Sequence, residues 1–197
     1  MTLELITAFA SFCFVSSITP GPNNLMLMAS GANFGFLKTI PHMLGVALGF
    51  VLMVFLVGIG LAQIFDIYPI AHSILKIGSV GYLLYLAWKI ANAAPVDAKG
   101  SSGTPMTFLQ AAAFQWVNPK AWTMAVTAVT VFAPDTSLPT VLAIAAIFGV
   151  VNLPSVSVWT LMGKQVARIL TNPTRLRLFN WTMATLLIAS LYPVLWP

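Results

Sequence analysis

An apolar stretch interrupted by two prolines constrains this chain more than any other feature. From Leu3 to Met28 the sequence has the length and composition of a membrane-spanning helix, but residues 17–24 read Ser-Ile-Thr-Pro-Gly-Pro-Asn-Asn. Pro20 and Pro22 lack backbone N–H donors and clash with the preceding turn, so a helix cannot continue through them. In lipid, such a break is tolerated only where the freed carbonyls face protein or a water-filled cavity. The sequence therefore predicts a polar break within a spanning segment.

The residues at this break are suited to contacting a polar solute. Thr19, Asn23 and Asn24 place small hydrogen-bonding groups at that depth, and Gly21 adds no steric restraint. We also expect Asn23 and Asn24 to help cap the helix that restarts there. Helices interrupted within the membrane recur as binding devices in secondary transporters. We therefore predict that the whole run contacts solute: Thr19, Pro20, Gly21, Pro22, Asn23 and Asn24.

The composition indicates an integral membrane protein. Hydrophobic residues make up 59% of the 197 residues and charged residues only 7%, whereas soluble domains carry about 25% charged residues. The N-terminal stretch has no basic leading region and contains Glu4, so we expect the first helix to be retained. The single cysteine, Cys13, lies in this stretch and predicts neither a disulfide nor a thiolate metal site. We expect no cofactor.

The apolar stretches predict an all-α membrane protein with six transmembrane helices. Each stretch reaches roughly the 20 residues needed to span a bilayer, and they lie at 3–30, 40–64, 70–92, 107–133, 138–162 and 177–196. We interpret residues 1–92 and 107–197 as two three-helix repeats, joined by a cytoplasmic loop at 93–106. An odd number of helices per half makes such a duplication inverted.

Matching prolines support this duplication. The first helix of each half is broken, once at 19–22 and again at Asn118–Pro119, and we expect Pro41 and Pro139 to open the helices that follow. Glycine pairs four residues apart, Gly31/Gly35 and Gly45/Gly49, predict close helix approach.

The net charge of +5 is explained by membrane topology, and we expect no nucleic-acid partner. In the six-helix interpretation the loops opposite the N-terminus hold seven of the nine basic residues: Lys38, Lys89, Lys99, Lys164, Arg168, Arg175 and Arg177. By the positive-inside rule these loops face the cytoplasm and both termini are periplasmic. Residues 163–173 fit either a short surface helix or a solvated linker with anchoring charges.

A second polar cluster surrounds the proline break in the fourth apolar stretch. Gln115, Asn118, Pro119 and Lys120 lie together, and Lys120 falls near mid-depth if 107–133 spans the membrane. A cation there costs at least ~2.5–3.5 kcal/mol, so it should face the bundle interior or water. Lys120 would then attract a carboxylate or exchange a proton. Alternatively, 107–117 is a shallow re-entrant segment and Lys120 extends to the interface.

Asn152, beside Pro154, marks a third polar position in the apolar stretches. It fits either a third helix break that lines the cavity or a packing kink whose amide bonds a neighbouring helix. We include it among the candidate binding residues.

Several of these motifs resemble the LysE/RhtB family of amino-acid exporters. The similarity runs the length of the chain and is carried by Thr19-Pro20-Gly21-Pro22-Asn23, Gly31 to Leu37, Pro41, Gly45 to Gly49, Gly81 to Trp88 and Asn118-Pro119-Lys120. The resemblance implies a bacterial inner-membrane carrier that expels amino acids or their derivatives, driven by the proton gradient. Asn23-Asn24 and Leu86 to Ala91 are most similar to the cysteine/O-acetylserine exporter branch. Many members have an acidic residue after the glycine that matches Gly49, where this chain has Phe50.

The ionisable residues leave few candidates for proton coupling. We place all four acids, Glu4, Asp66, Asp97 and Asp135, in loops or at membrane ends, and we expect both histidines to be interfacial bystanders at helix ends. Lys120 is then the only ionisable group near mid-depth. Coupling through Lys120 and coupling through the solute's own titratable groups both remain open.

Other classes of membrane protein fit less well. A membrane enzyme would need a nucleophile with a base or a metal cluster, and the two histidines are thirty residues apart with no HExxH or GxSxG motif. A metal exporter would need Cys, His and carboxylate ligands within its spans. A structural protein would leave two proline-broken helices unexplained. The expected partners are therefore an amino-acid solute and the bilayer, and a homodimer stays open.

Overall fold

The computed structural model describes residues 1–93, 104–170 and 172–195. Most of the predicted loop at 93–106, including Asp97 and Lys99, lies outside these residues. The described residues form helices and no strand, which confirms an all-α protein. Their bounds are α1 (Leu3–Ile18), α2 (Pro22–Phe34), α3 (Phe36–Gly58), α4 (Ile64–Ile67), α5 (Pro69–Ala91), α6 (Phe108–Phe114), α7 (Pro119–Phe132), α8 (Leu138–Ala167), α9 (Pro173–Ala189) and α10 (Tyr192–Leu195).

Both predicted proline breaks are present. α1 and α2 meet at an angle of 54°, with Thr19, Pro20 and Gly21 between them. The second break separates α6 from α7 by a turn of 3-10 helix at Gln115–Val117 and by Asn118. Each restarted helix has proline in its first turn, where the missing N–H would have no helical partner in any case.

Three described helices are long and apolar enough to cross a bilayer. They are α3, α8 and the part of α5 from Ser73 to Ala91, and the bent pair α1–α2 would be a fourth if it forms one span. α9 has 17 residues and α7 has 14, so neither reaches the length of a single span by itself. The chain is a multi-pass membrane protein by this measure.

α8 is the central helix of the bundle and packs against α1, α2 and α3. Its contact with α2 depends on glycine, because a Cβ at Gly163 would lie 2.0 Å from the Met28 carbonyl oxygen and one at Gly31 would lie 2.2 Å from the Thr160 carbonyl oxygen. Gly45 and Gly49 similarly allow α6 to approach α3, as predicted. Close backbone contact of this kind is how membrane helices associate.

Two sequence expectations about the helices are wrong, and one of the two alternatives for residues 163–173 is excluded. Pro41 lies inside α3 and does not open it, because that helix already begins at Phe36. Gly35 serves the turn before α3 with a φ of 81° and has no close neighbour within 4 Å, so it takes no part in helix approach. Residues 163–167 continue α8 and α9 begins at Pro173, so the described part of 163–173 forms no separate surface helix.

We expect Gly163→Ala to lower the thermal stability of the purified protein, because the added methyl group overlaps the Met28 backbone. Overpacking of this kind costs about 1–3 kcal/mol. The control is Gly78→Ala, which meets nothing within 4 Å in α5. Thermal unfolding in detergent should show a lower Tm for the first variant only. An equal Tm for both would contradict the close contact of α2 with α8.

Candidate functional site

Lys120 connects the two helix breaks. It is the second residue of α7, and its Nζ donates hydrogen bonds to the Thr19 carbonyl oxygen at 2.9 Å, to Thr19 Oγ1 at 2.9 Å and to the Pro20 carbonyl oxygen at 3.4 Å. Thr19 is the C-cap of α1. The last carbonyls of a helix lack partners and carry negative partial charge. The ammonium group therefore satisfies the carbonyls that the first break exposes.

Gly21 makes room for this contact. A Cβ at this position would lie 2.7 Å from Lys120 Cδ and 3.1 Å from Lys120 Nζ. Its φ of −175° is extended backbone that any residue can adopt. Space for the lysine, and not backbone conformation, is therefore the reason for glycine here.

Asn24 also satisfies the end of α1. Its Nδ2 donates to the Ser17 carbonyl oxygen at 2.7 Å and to the Thr19 carbonyl oxygen at 2.8 Å. The expectation that Asn23 and Asn24 cap the restarted helix is wrong, since α2 has Gly21 as its N-cap and no side-chain cap hydrogen bond. The Asn24 amide therefore donates to carbonyls freed by proline and does not cap the N–H groups of α2.

Asn23 instead pairs with Gln115 of the second break. Asn23 Nδ2 donates to Gln115 Oε1 at 2.8 Å, and Gln115 Nε2 donates back to Asn23 Oδ1 at 3.2 Å. Gln115 Nε2 also donates to the Ala111 carbonyl oxygen at 2.8 Å, and the Gln115 side chain is fully buried. A reciprocal amide pair therefore forms a second connection between the breaks. Asn118 caps α7 by accepting from the Lys120 backbone N–H at 3.2 Å.

Asn152 reaches the same region from α8. α8 continues through Pro154, which excludes a third break, and the Asn152 amide bonds to the neighbouring helix α1 as in the packing alternative. Asn152 Nδ2 donates to Ser17 Oγ at 3.2 Å, while Asn152 Oδ1 has no hydrogen-bond partner among the described residues. Trp159, two turns further along α8, donates its indole N–H to the Ile18 carbonyl oxygen at 3.0 Å.

These side chains enclose a small cavity of about 30 Å³. That volume suits water more than an amino acid, so the site is closed in this structure. The cavity lining contains six of the eleven predicted binding residues: Gly21, Asn23, Asn24, Asn118, Lys120 and Asn152. Its other lining residues, which sequence reasoning did not single out, are Ser16, Ser17, Phe50, Ala121, Met124 and Val156.

A larger cavity of about 750 Å³ also adjoins the two breaks. Gly21 and Lys120 line both cavities, so the Lys120 side chain lies at the boundary between them. Pro20, Pro22 and Pro119 line only the larger one. Gln115 and Thr19 line neither cavity, but they hydrogen-bond to Asn23 and Lys120, which do.

The electrostatics around Lys120 favour an anionic group. α2 and α7 both begin at the breaks, and helix N-termini carry positive partial charge. Neither cavity lining includes an aspartate or glutamate among the described residues. Polar backbone and cationic charge at paired helix breaks are a known arrangement for binding carboxylates in membrane carriers.

Comparison with known proteins assigns the chain to a family. Residues 14–190 match the model of the LysE type translocators. The chain belongs to this family. A protein of Escherichia coli O139:H28 (strain E24377A / ETEC) named "Cysteine/O-acetylserine efflux protein" is 31% identical over 191 residues, which cover 95% of this chain and 96% of the relative. Proteins of the same name from Escherichia coli (strain K12) and Shigella flexneri serotype 5b (strain 8401) are 31% identical over 172 residues, covering 86% of this chain and 87% of each relative.

No solved structure matches this LysE-type translocator. Its family membership makes it a transporter and not an enzyme. Within the described ranges, no group of three or more His, Cys, Asp or Glu residues could hold a metal ion.

We expect Asn24→Ala to destabilise the translocator by about 1–3 kcal/mol, because it leaves the Ser17 carbonyl at the end of α1 without its side-chain donor. The control is Asn92→Ala, whose side chain also donates to a helix carbonyl, that of Trp88, but is exposed. Chemical unfolding in detergent should separate the two variants. Equal unfolding free energies would contradict the importance of the Asn24 amide.

Proposed function

We propose that this chain exports amino acids or amino-acid derivatives across the bacterial inner membrane and binds them at the two helix breaks. The relatives' name, cysteine/O-acetylserine efflux protein, supports this class of solute. The observation that carries the proposal is the position of Lys120, whose ammonium group lies on the exposed carbonyls between α1 and α2. The proposed binding residues are Thr19, Pro20, Gly21, Pro22, Asn23, Asn24, Gln115, Asn118, Pro119, Lys120 and Asn152.

The polar groups of the site complement the two charges of a zwitterion. Lys120 binds the solute carboxylate, giving up its hydrogen bonds to Thr19. The released Thr19 and Pro20 carbonyls then accept from the solute ammonium group. Asn152 Oδ1, which has no partner among the described residues, is a further acceptor for that ammonium. The solute carboxylate accepts from Lys120 in place of the Thr19 and Pro20 oxygens. The ammonium group of Lys120 therefore keeps charged hydrogen bonds throughout the exchange.

Opening the site requires the contacts between the breaks to separate. In this structure Lys120 and Asn23, which line the small cavity, are held by hydrogen bonds to Thr19 and Gln115. Breaking the Lys120 contact joins that cavity to the larger one, because Gly21 and Lys120 line both. Alternating access then needs these contacts to break in turn on the two sides of the membrane, with the helix breaks as the fixed centre.

We propose the six-helix inverted repeat as the membrane topology. Its halves are 1–92 and 107–197, connected by the cytoplasmic loop 93–106, and both termini are periplasmic. The two proline breaks support it, since each occurs in the first apolar stretch of its half. The charge distribution of the loops supports the orientation. A homodimer is compatible with this topology.

We further propose that the proton gradient drives export. Among the side chains that the structure describes, the linings of both cavities at the breaks contain no acidic residue, and we assign proton coupling to other groups. Lys120 or the titratable groups of the solute carry the proton instead. The family resemblance supports the driving force.

We expect Lys120→Met to reduce export at least about tenfold, because a hydrogen bond to a charged group contributes about 1.5–3 kcal/mol. Methionine keeps much of the side-chain volume and removes the charge. The control is Lys164→Met, at an exposed position of α8. The assay is uptake of labelled O-acetyl-L-serine into inside-out membrane vesicles with an imposed pH gradient, with protein amounts checked by immunoblot. Wild-type rates in the Lys120 variant would refute its role in binding.

We expect Pro22→Ala and Pro119→Ala each to impair export, since alanine restores a backbone N–H and lets α2 or α7 extend into its break. The control is Pro139→Ala, at the exposed start of α8. The same vesicle assay measures all three variants. If only one of the two break variants is impaired, the proposal that both breaks build one site fails.

A further inference from the structure

A third cavity of about 320 Å³, which we call the α2 cavity, lies along the later part of α2, away from the helix breaks. Its walls come from α2, α3, the end of α5 and residues 104–106. Most of the lining is apolar, including Met26, Leu86, Ile90 and Met106, and a few polar side chains interrupt it. Small-molecule sites in proteins have this composition and typically a volume of ≈ 300–1,000 Å³.

His42 contributes an unpaired imidazole to this cavity. Its side chain is 1% exposed, and neither Nδ1 nor Nε2 has a hydrogen-bond partner among the residues that the structure describes. The imidazole is therefore buried within the bundle, and the expectation that this histidine is a bystander stays a prediction. A buried polar group without a partner costs free energy, and in proteins such groups usually bind water or a ligand.

The other polar groups on the α2 side of the cavity already have partners. Ser30 Oγ pairs with Thr39 Oγ1 at 2.9 Å. Asn33 Nδ2 donates to Asn180 Oδ1 at 2.9 Å and to the Ala29 carbonyl oxygen at 2.8 Å. The unpartnered imidazole of His42 therefore remains for an occupant, together with the exposed cation Lys89 and the polar side chains of Trp88, Asn92 and Thr104, which also line the cavity. No acidic residue lines the cavity within the described ranges.

We infer that this cavity is a second binding site for the transported solute, an amino acid or amino-acid derivative. This inference rests on the proposed function. Lys89 attracts the carboxylate, the apolar walls contact the carbon skeleton, and the imidazole of His42 hydrogen-bonds to a polar group at the buried end of the solute. Neutral imidazole offers one donor and one acceptor, so it suits a thiol, an ester carbonyl or an ammonium group.

The two sites lie in series along α2. Asn23 lines the small cavity at the breaks, and Asn33 lines the α2 cavity. Ten residues of helix separate the two asparagines by about 15 Å. Phe114 and the Asn23–Gln115 pair lie near the start of this path, where Phe114 packs in the same cluster as Met26. Lys89 is among the basic residues that we assign to the cytoplasmic side. The α2 cavity is therefore the site that binds solute from the cytoplasm before the solute reaches Lys120.

The test compares two cavity variants in inside-out vesicles supplied with labelled O-acetyl-L-serine. His42→Leu removes the imidazole, and Ala29→Leu fills the cavity from α2 while keeping His42. We expect both to raise KM by about tenfold or more, with the maximal rate changed less than KM. The control is Thr160→Val, which removes a buried hydroxyl that bonds within α8 and lines neither site.

Thermal unfolding separates binding from a purely structural role of His42. Replacing an unpartnered buried polar group by leucine should leave the Tm of His42→Leu equal to or above that of the wild type. Unchanged KM in the two cavity variants would overturn the second site, and so would a KM change confined to a variant with a lowered Tm. If Lys120→Met loses export while both cavity variants keep the wild-type KM, the proposed function stands and only the second site falls. Absence of transport by the wild type would overturn both.

Discussion

The contact between the Lys120 ammonium group and the carbonyls at the end of α1 is the interaction on which the rest of this structure depends. Prolines in the first break leave carbonyl groups without helical partners, and lipid offers none. Lys120, at the start of the other broken helix, supplies the missing donors at Thr19 and Pro20. Each break therefore compensates the other: one has unpaired acceptors, and the other has a cation that needs a polar environment. The result is a polar centre in an apolar bundle.

Close helix packing brings this centre together. Gly31 and Gly163 allow α8 to lie directly against α2, and the same helix delivers Asn152 and Trp159 to the end of α1. In lipid the hydrophobic effect does not drive helices together. Close backbone packing and interhelical hydrogen bonds therefore stabilise their association. The glycines thus have a functional consequence, because a wider spacing would leave the first break without its contacts from α8.

The sequence was sufficient to predict both breaks and to single out Lys120 beside the second one, because proline acts locally and a cation in an apolar stretch stands out. It could not predict which groups satisfy each other. Asn24 bonds back to α1 and not forward to α2, because α2 folds back against the end of α1 at an angle that the local sequence does not specify. α8 likewise continues through Pro154 although proline usually breaks a helix. The burial of His42 could not be predicted either, since its position near the start of α3 says nothing about how α2 and α5 pack around it.

A double-mutant cycle between Thr19 and Lys120 tests this account most directly. The variants are Thr19→Val, Lys120→Met and their combination, and the measurement is the free energy of unfolding in detergent. Because Lys120 Nζ bonds to Thr19 Oγ1 at 2.9 Å, the account predicts that the two substitutions are non-additive, with a coupling energy of about 0.5–3 kcal/mol. Strictly additive effects would show that the Thr19 hydroxyl and the Lys120 ammonium group do not interact, and would contradict the account.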